Sequence, residues 1–126
     1  METVDSSNDP LRLLVGREVS AVCFVRDYVE LHFDGPVLRA LSNPFGRYGC
    51  RGWRFPARGS LELMRYYIGK TVDDYELVPD RLLALDLGEH RFAIPLDHVS
   101  RMGPEAAHLI GVDERGQSDT QATWIW

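Results

Sequence analysis

The side chains in this chain that could do chemistry are four histidines, two cysteines and several clusters of charge. His32, His90, His98 and His108 include no pair at the i, i+2 or i, i+4 spacing that aims two imidazoles at one metal from a strand or helix. His32 falls on the polar face of a strand, His90 closes a turn, and Asp97-His98 follows a strand, so any site would have to be assembled by tertiary proximity. A surface or hydrogen-bonded histidine is the simpler expectation. Cys23 and Cys50 lie 27 positions apart, which builds neither a zinc knuckle nor a disulfide framework. Cys23 reads as a small structural residue on the strand face opposite Val22 and Phe24. Cys50 sits between Arg47 and Arg51, whose charges would favour a thiolate, but no histidine base is near it in sequence.

Two further patterns fail on inspection. Gly69-Lys70-Thr71 ends like a phosphate-binding loop, yet Met64 stands where the motif needs its first glycine, and the segment follows a helix instead of opening one. Asp73, Asp74, Glu76 and Asp80 alternate with Val72, Tyr75 and Leu77, as charges do when they solvate a sheet face, so they do not mark a paired-carboxylate hydrolase. The sequence therefore assigns no catalytic residue, no metal ligand and no cofactor.

What remains is the connection 45–58, where Phe45, Tyr48, Trp53 and Phe55 interleave with Arg47, Arg51, Arg54 and Arg58. Gly46, Gly49, Gly52 and Pro56 argue against a helix, and a loop of this length without secondary structure is commonly functional or disordered. Arginine and large aromatic side chains dominate binding hot spots, so Arg47, Tyr48, Arg51, Trp53, Arg54 and Arg58 form the candidate partner-binding set. Two readings stay open. Either the arginines meet an acidic protein partner, or they pair with this chain's own acidic strands while Trp53 and Phe55 plug the core. Nucleic acid is disfavoured by the net charge of −5.

The elements that position these residues follow from composition and pattern. At 126 residues, 44% hydrophobic and 26% charged, the chain is expected to fold as a single domain, 1–126, with one core. Residues 45–70 carry six basic groups against Glu62 alone, a net +5, which leaves −10 for the rest. The start, 1–10, is acidic and lacks the features of a signal peptide; no stretch is long and apolar enough to span a bilayer. A cytoplasmic protein with no membrane partner is expected.

An offset of 53 residues aligns Val15-Gly16-Arg17 with Ile68-Gly69-Lys70, Val19 with Val72 and Phe24 with Leu77. Each block follows a short helical pattern. In the first, Asp9 and Pro10 read as N-cap and N1, Leu11, Leu14 and Val15 share a face, and Gly16 ends the helix. In the second, Ser60 caps, Leu61, Met64 and Ile68 share a face, and Gly69 ends it. After each glycine the apolar alternation predicts a three-stranded meander. Its registers set Phe24 opposite Val29, Leu31 opposite Leu38, Leu77 opposite Leu83 and Leu85 opposite Phe92. Glu30 then meets Arg39 and Asp86 meets Arg91, and this recurrence of opposite charges supports a duplication. The expected fold is α+β, with pseudo-repeats about 9–44 and 60–97 forming a mostly antiparallel curved sheet, sandwich or open barrel. A C-terminal hairpin, 105–126, completes it.

The run Leu14-Val15-Gly16-Arg17-Glu18-Val19, with Phe24-Val25-Arg26-Asp27-Tyr28-Val29-Glu30-Leu31-His32-Phe33-Asp34-Gly35-Pro36, resembles a group of small uncharacterised bacterial proteins. Gly103-Pro104-Glu105-Ala106-Ala107 and the closing Trp124-Ile125-Trp126 are similar too. The resemblance implies a bacterial cytoplasmic protein and brings no activity with it. Taken together, the residues point to a non-enzymatic protein-binding domain, of an immunity-type or accessory kind. The alternatives are a small-molecule binder or enzyme with a site between the two units, and polyanion binding through the basic segment.

Overall fold

The computed structural model describes residues 10–113 and 117–126, so the Asp9 cap and part of the polar loop near residue 115 lie outside the described residues. The fold is mostly β. Among the described residues, ten strands form two five-stranded antiparallel sheets, neither closed on itself. In the first sheet the order is β1 (Ala21–Val25), β2 (Tyr28–His32), β3 (Val37–Ala40), β9 (Ala107–Val112) and β10 (Ser118–Ile125). In the second it is β6 (Asp74–Val78), β7 (Leu82–Leu87), β8 (His90–Pro95), β4 (Phe45–Tyr48) and β5 (Arg51–Arg54). Among the described residues helix is limited to α1 (Ser60–Arg65) and the 3-10 turns Pro10–Leu14 and His98–Ser100, so the expected α+β character is present only in part. Gly16 at φ 90° and Gly69 at φ 91° end the first turn and the segment after α1, leaving each helical run room for little more than a turn.

Both meanders adopt the registers that the apolar alternation predicts, including Phe24 opposite Val29, Leu31 opposite Leu38, Leu77 opposite Leu83 and Leu85 opposite Phe92. The two charge pairs form as well, Arg39 to Glu30 at 2.8 Å and Arg91 to Asp86 at 2.8 Å. They stand on different rungs, however. Counted from the second turn of each meander, the place of Glu30 and Arg39 is taken in the other sheet by Ala84 and Ala93, so the recurrence of charge pairs is no argument for a repeat.

The two sheets are built by exchange. The chain leaves the first meander after β3 and adds the hairpin β4–β5 to the second sheet, beside β8. After β8 it returns and adds β9–β10 to the first sheet, beside β3. The segments that precede the meanders pair with each other at the 53-residue offset. Gly16 N–H donates to Val72 O and Gly69 N–H to Val19 O; Val19 N–H donates to Lys70 O and Val72 N–H to Arg17 O. Offset-related residues thus swap roles around the Glu18–Thr71 bridge.

Both inner faces feed one buried cluster that includes Val29, Leu31, Leu38 and Leu109 from one sheet and Leu83, Leu85, Phe92 and Ile94 from the other. The helical segments bury Leu11 and Leu14 in the first half and Met64 and Tyr67 in the second. Val15, Leu61 and Ile68 are exposed, against the faces read from the sequence, because segments this short present only one i, i+3 pair to the core. Ser60 lies inside α1 with its hydroxyl buried, and Gly59 at φ 88° occupies the cap instead. Among the described residues no helix is long and apolar enough to cross a membrane.

Candidate functional site

Residues 45–58 are not the free loop their glycines suggest. Residues 45–54 form the β4–β5 hairpin, in which Gly46 pairs with Trp53 and Tyr48 with Arg51, and 55–58 form the turn that leads to α1. Alternation sends Gly46, Tyr48 and Trp53 inward and Phe45, Arg47 and Arg54 outward. A Cβ on Gly46 would run into the Arg91 carbonyl and approach the Trp53 indole to 2.8 Å. The missing side chain is the space into which Trp53 sinks. Its ring packs against Phe92 at 5.7 Å and edge-on to Tyr67 at 6.0 Å.

The indole N–H of Trp53 donates to the Tyr67 hydroxyl at 2.9 Å. That hydroxyl lies 2.8 Å from the Arg91 carbonyl and 3.1 Å from the Arg47 carbonyl, so its single proton has two acceptors. Burial pushes the Tyr67 phenol up to about 12, only partly offset by the indole hydrogen bond. Alongside, Tyr48 stacks on His90 with ring centres 3.8 Å apart and planes 6° from parallel. His90 Nδ1 accepts the Gly49 N–H at 2.8 Å, which fixes the hairpin turn to β8. Tyr48, Trp53 and His90 are therefore packing residues.

The arginines behave differently. Arg47 donates to the carbonyls of Gly49 at 3.0 Å and Glu89 at 3.1 Å, tying two turns together. Arg51, Arg54 and Arg58 are exposed, and among the described residues no carboxylate lies within ion-pair distance of any of the four. β5 is an edge strand. The Phe55 N–H bond to Pro44 O sets the alternation of the ladder, so Gly52 turns its N–H and C=O away from β4. A depression of about 310 Å³ opens beside Arg54, lined by Asn43, Phe45, Phe55, Pro95 and Ser100. Across the outer face of this sheet one rung reads Gly52, Arg47, Arg91, Asp86, Asp74, basic toward β5 and acidic toward β6. Arg91, in the middle, is neutralised by Asp86 and by Glu76 at 2.9 Å, and the Asp86 hydrogen bond above all raises its pKa. The candidate set thus splits: Trp53 and Tyr48 serve the core, while Arg51, Arg54 and Arg58 face solvent.

The remaining chemistry-bearing residues are scattered. His98 lies exposed on a 3-10 turn, and His108 pairs with Glu105 at 2.7 Å. Cys50 is a free, exposed thiol at the β4–β5 turn. An open depression of about 350 Å³ borders His90, Lys70, Asp73 and Glu89. Gly69, Lys70 and Thr71 belong to the pairing between the two halves rather than to a phosphate loop.

One constellation goes beyond the sequence reading. On the outer face of the first sheet, the Cys23 thiol, the Glu30 carboxylate and the His32 ring bring their donor atoms within 4.8 Å of one another. Cys23 pairs with Glu30 across β1 and β2, and His32 follows on the same face. Burial raises the Glu30 carboxyl, but hydrogen bonds from Arg39 and His32 outweigh it and hold the group below the ordinary value. The signal was present in the predicted register, which already put all three residues on one polar face.

Compared with protein-family models, curated proteins and solved structures, the chain matches none.

Proposed function

We propose that this chain is a non-enzymatic binding domain, of an immunity-type or accessory kind, whose basic edge at β4–β5 receives an acidic protein partner. The observation that carries the reading is the set Arg51 and Arg54, on edge strand β5, and Arg58, in the turn that follows it, all exposed with no carboxylate in ion-pair reach among the described residues. A chain with 19 acidic residues of its own has ample means to neutralise three arginines, and leaving them unpaired favours an external anion. Support also comes from the outward backbone of Gly52, which suits addition of an extended segment, and from the depression beside Arg54, where an acidic side chain can be held between guanidinium and aromatic walls. A bacterial, cytoplasmic setting and descent of the two halves from one duplicated unit belong to the same proposal; the exchanged hydrogen bonds around Glu18 and Thr71 favour the duplication.

The test replaces Arg51, Arg54 and Arg58 together by glutamate and compares the proteins captured from the native host by variant and wild type. Trp53 is left alone, since its loss would act through the core. A protein retained by wild type, lost with the triple variant and kept by an Arg12→Glu, Arg26→Glu control supports the assignment. Capture unchanged by the triple variant overturns it. Salt-sensitive retention on heparin with no protein captured would instead favour a polyanion.

A further inference from the structure

We propose that Cys23, Glu30 and His32 form a binding site for a zinc-type divalent cation, with three protein ligands and an open fourth position, on the face of the sheet that does not meet the core. The site is independent of the β4–β5 edge and lies in the other sheet.

The geometry needs little change. Tetrahedral zinc with thiolate, imidazole and carboxylate ligands at its usual bond lengths places neighbouring donor atoms about 3.3–3.6 Å apart. His32 Nε2 and Glu30 Oε1 are already 3.1 Å apart, and Cys23 Sγ lies within 4.8 Å of both. Rotamer adjustments of a few tenths of an ångström to about one ångström complete the triangle, and all three residues sit on paired strands that fix their Cα positions. Arg39 holds the other carboxylate oxygen, Oε2, at 2.8 Å, so Oε1 stays aimed at His32 in the manner of an outer-shell partner. Exposure is also suitable: the side chain of Glu30 is 13% exposed and that of His32 34%, enough to let solvent supply a fourth ligand.

The donor set and its surroundings select the ion. A nearby guanidinium opposes any cation, and it does so most effectively for hard ions that depend on carboxylate charge alone. A thiolate and an imidazole favour the softer, borderline metals, so zinc is preferred over magnesium or calcium. Binding releases the Cys23 thiol proton and displaces the Nε2 proton that His32 donates to Glu30, so that the neutral ring then carries its single proton on Nδ1. Because β1 is an edge strand joined to the sheet through β2 alone, an ion held across the Cys23–Glu30 rung pins that edge.

The experiment uses the full chain and has two arms. Titration with Co²⁺, displaced by Zn²⁺, should give one equivalent of tetrahedral cobalt with a thiolate-to-cobalt charge-transfer band. In the unaltered protein, Zn²⁺ should slow alkylation of Cys23 and leave Cys50 at its metal-free rate. Cys23→Ser and His32→Gln should each weaken binding by more than the roughly 10–100-fold that follows loss of a merely supporting group. The alkylation arm needs no variant, so a misfolded substitution does not rescue the proposal. Absence of the thiolate band, protection that falls on Cys50, or equal protection by Mg²⁺ would overturn it.

Discussion

Leu14 and Tyr67 occupy matching places, each three residues after a buried Leu11 or Met64 and two before a left-handed glycine, but only Tyr67 carries a polar atom into the core. The exchanged hairpins differ in step. Trp124 faces Leu109 across β9–β10, stays half-buried, and gives its N–H to the Val112 carbonyl of its own hairpin at 3.0 Å. Trp53 faces Gly46, sinks until it is 7% exposed, and gives its N–H to Tyr67. A buried hydroxyl costs stability unless it is satisfied, and satisfying this one takes an indole, a glycine and two strand carbonyls. The lesson is that a tyrosine, placed where the first half has a leucine, draws Trp53 and the Arg47 carbonyl of residues 45–58 into satisfying its hydroxyl. Their aromatics serve the second half of the core, and only their arginines remain for a partner.

The largest expected effect comes from removing the room that this arrangement needs. Gly46→Ala should destabilise by about 3 kcal/mol or more, because the new methyl meets a strand carbonyl that cannot move aside. Gly52→Ala, whose Cβ would find its nearest neighbour at 3.9 Å, should stay within about 0.5 kcal/mol. Urea midpoints of both variants check the contrast, and equal effects would break it.

Next in size are changes that make the second half imitate the first. Tyr67→Phe strands the Trp53 N–H and should cost about 1–3 kcal/mol. Tyr67→Leu adds a cavity and should cost more than Tyr67→Phe. The phenol also fixes a pH window. Its folded value of about 12 lies above the ordinary 10.0, so the neutral form is favoured by folding. That contribution is fully present below pH 10 and is lost as pH rises toward 12, where the unfolded chain ionises first. Denaturation across this range should show a slope that Tyr67→Phe flattens.

The smallest effects concern two charge pairs, Glu76–Arg91 and Glu30–Arg39. Arg91 is 31% and Glu76 48% exposed, and their coupling in a double-mutant cycle should be about 0.2–1 kcal/mol. Glu30, more deeply placed, should couple to Arg39 more strongly. Its lowered carboxyl gives stability that is present above the ordinary carboxylate value and is lost as pH falls through the folded one. A cycle in which Glu76–Arg91 exceeds Glu30–Arg39 would contradict the difference in burial.

The meanders were legible because their strands alternate cleanly, and a one-residue slip would have turned Val29, Leu31, Leu83 and Leu85 to solvent. The hairpin at 45–58 was not legible for a physical reason. One of its inward positions is Gly46, whose space is filled by a residue from the paired strand, so the apolar alternation that marks a strand is missing from β4 itself. The helical faces are not legible in the sequence because exposed Leu61 and Ile68 look as apolar as buried Met64, and so short a helix has no second full turn to settle the phase. The three-residue constellation on the first sheet could be found only by combining both strands of a register. Cys23 and His32 considered singly, along their own strands, give no signal.

The crossing of hairpins between sheets bears on how the chain finds its fold. Neither meander can complete its sheet with the segment that follows it, since β4 must reach β8 across more than forty residues and β9 must reach back to β3 across more than sixty. Such distant pairings are slow to form, and they place the loop-closure cost before the gain in packing. Fragments severed between β5 and α1 would each lack the strands that finish their own sheet, and would reach the native arrangement only by finding one another.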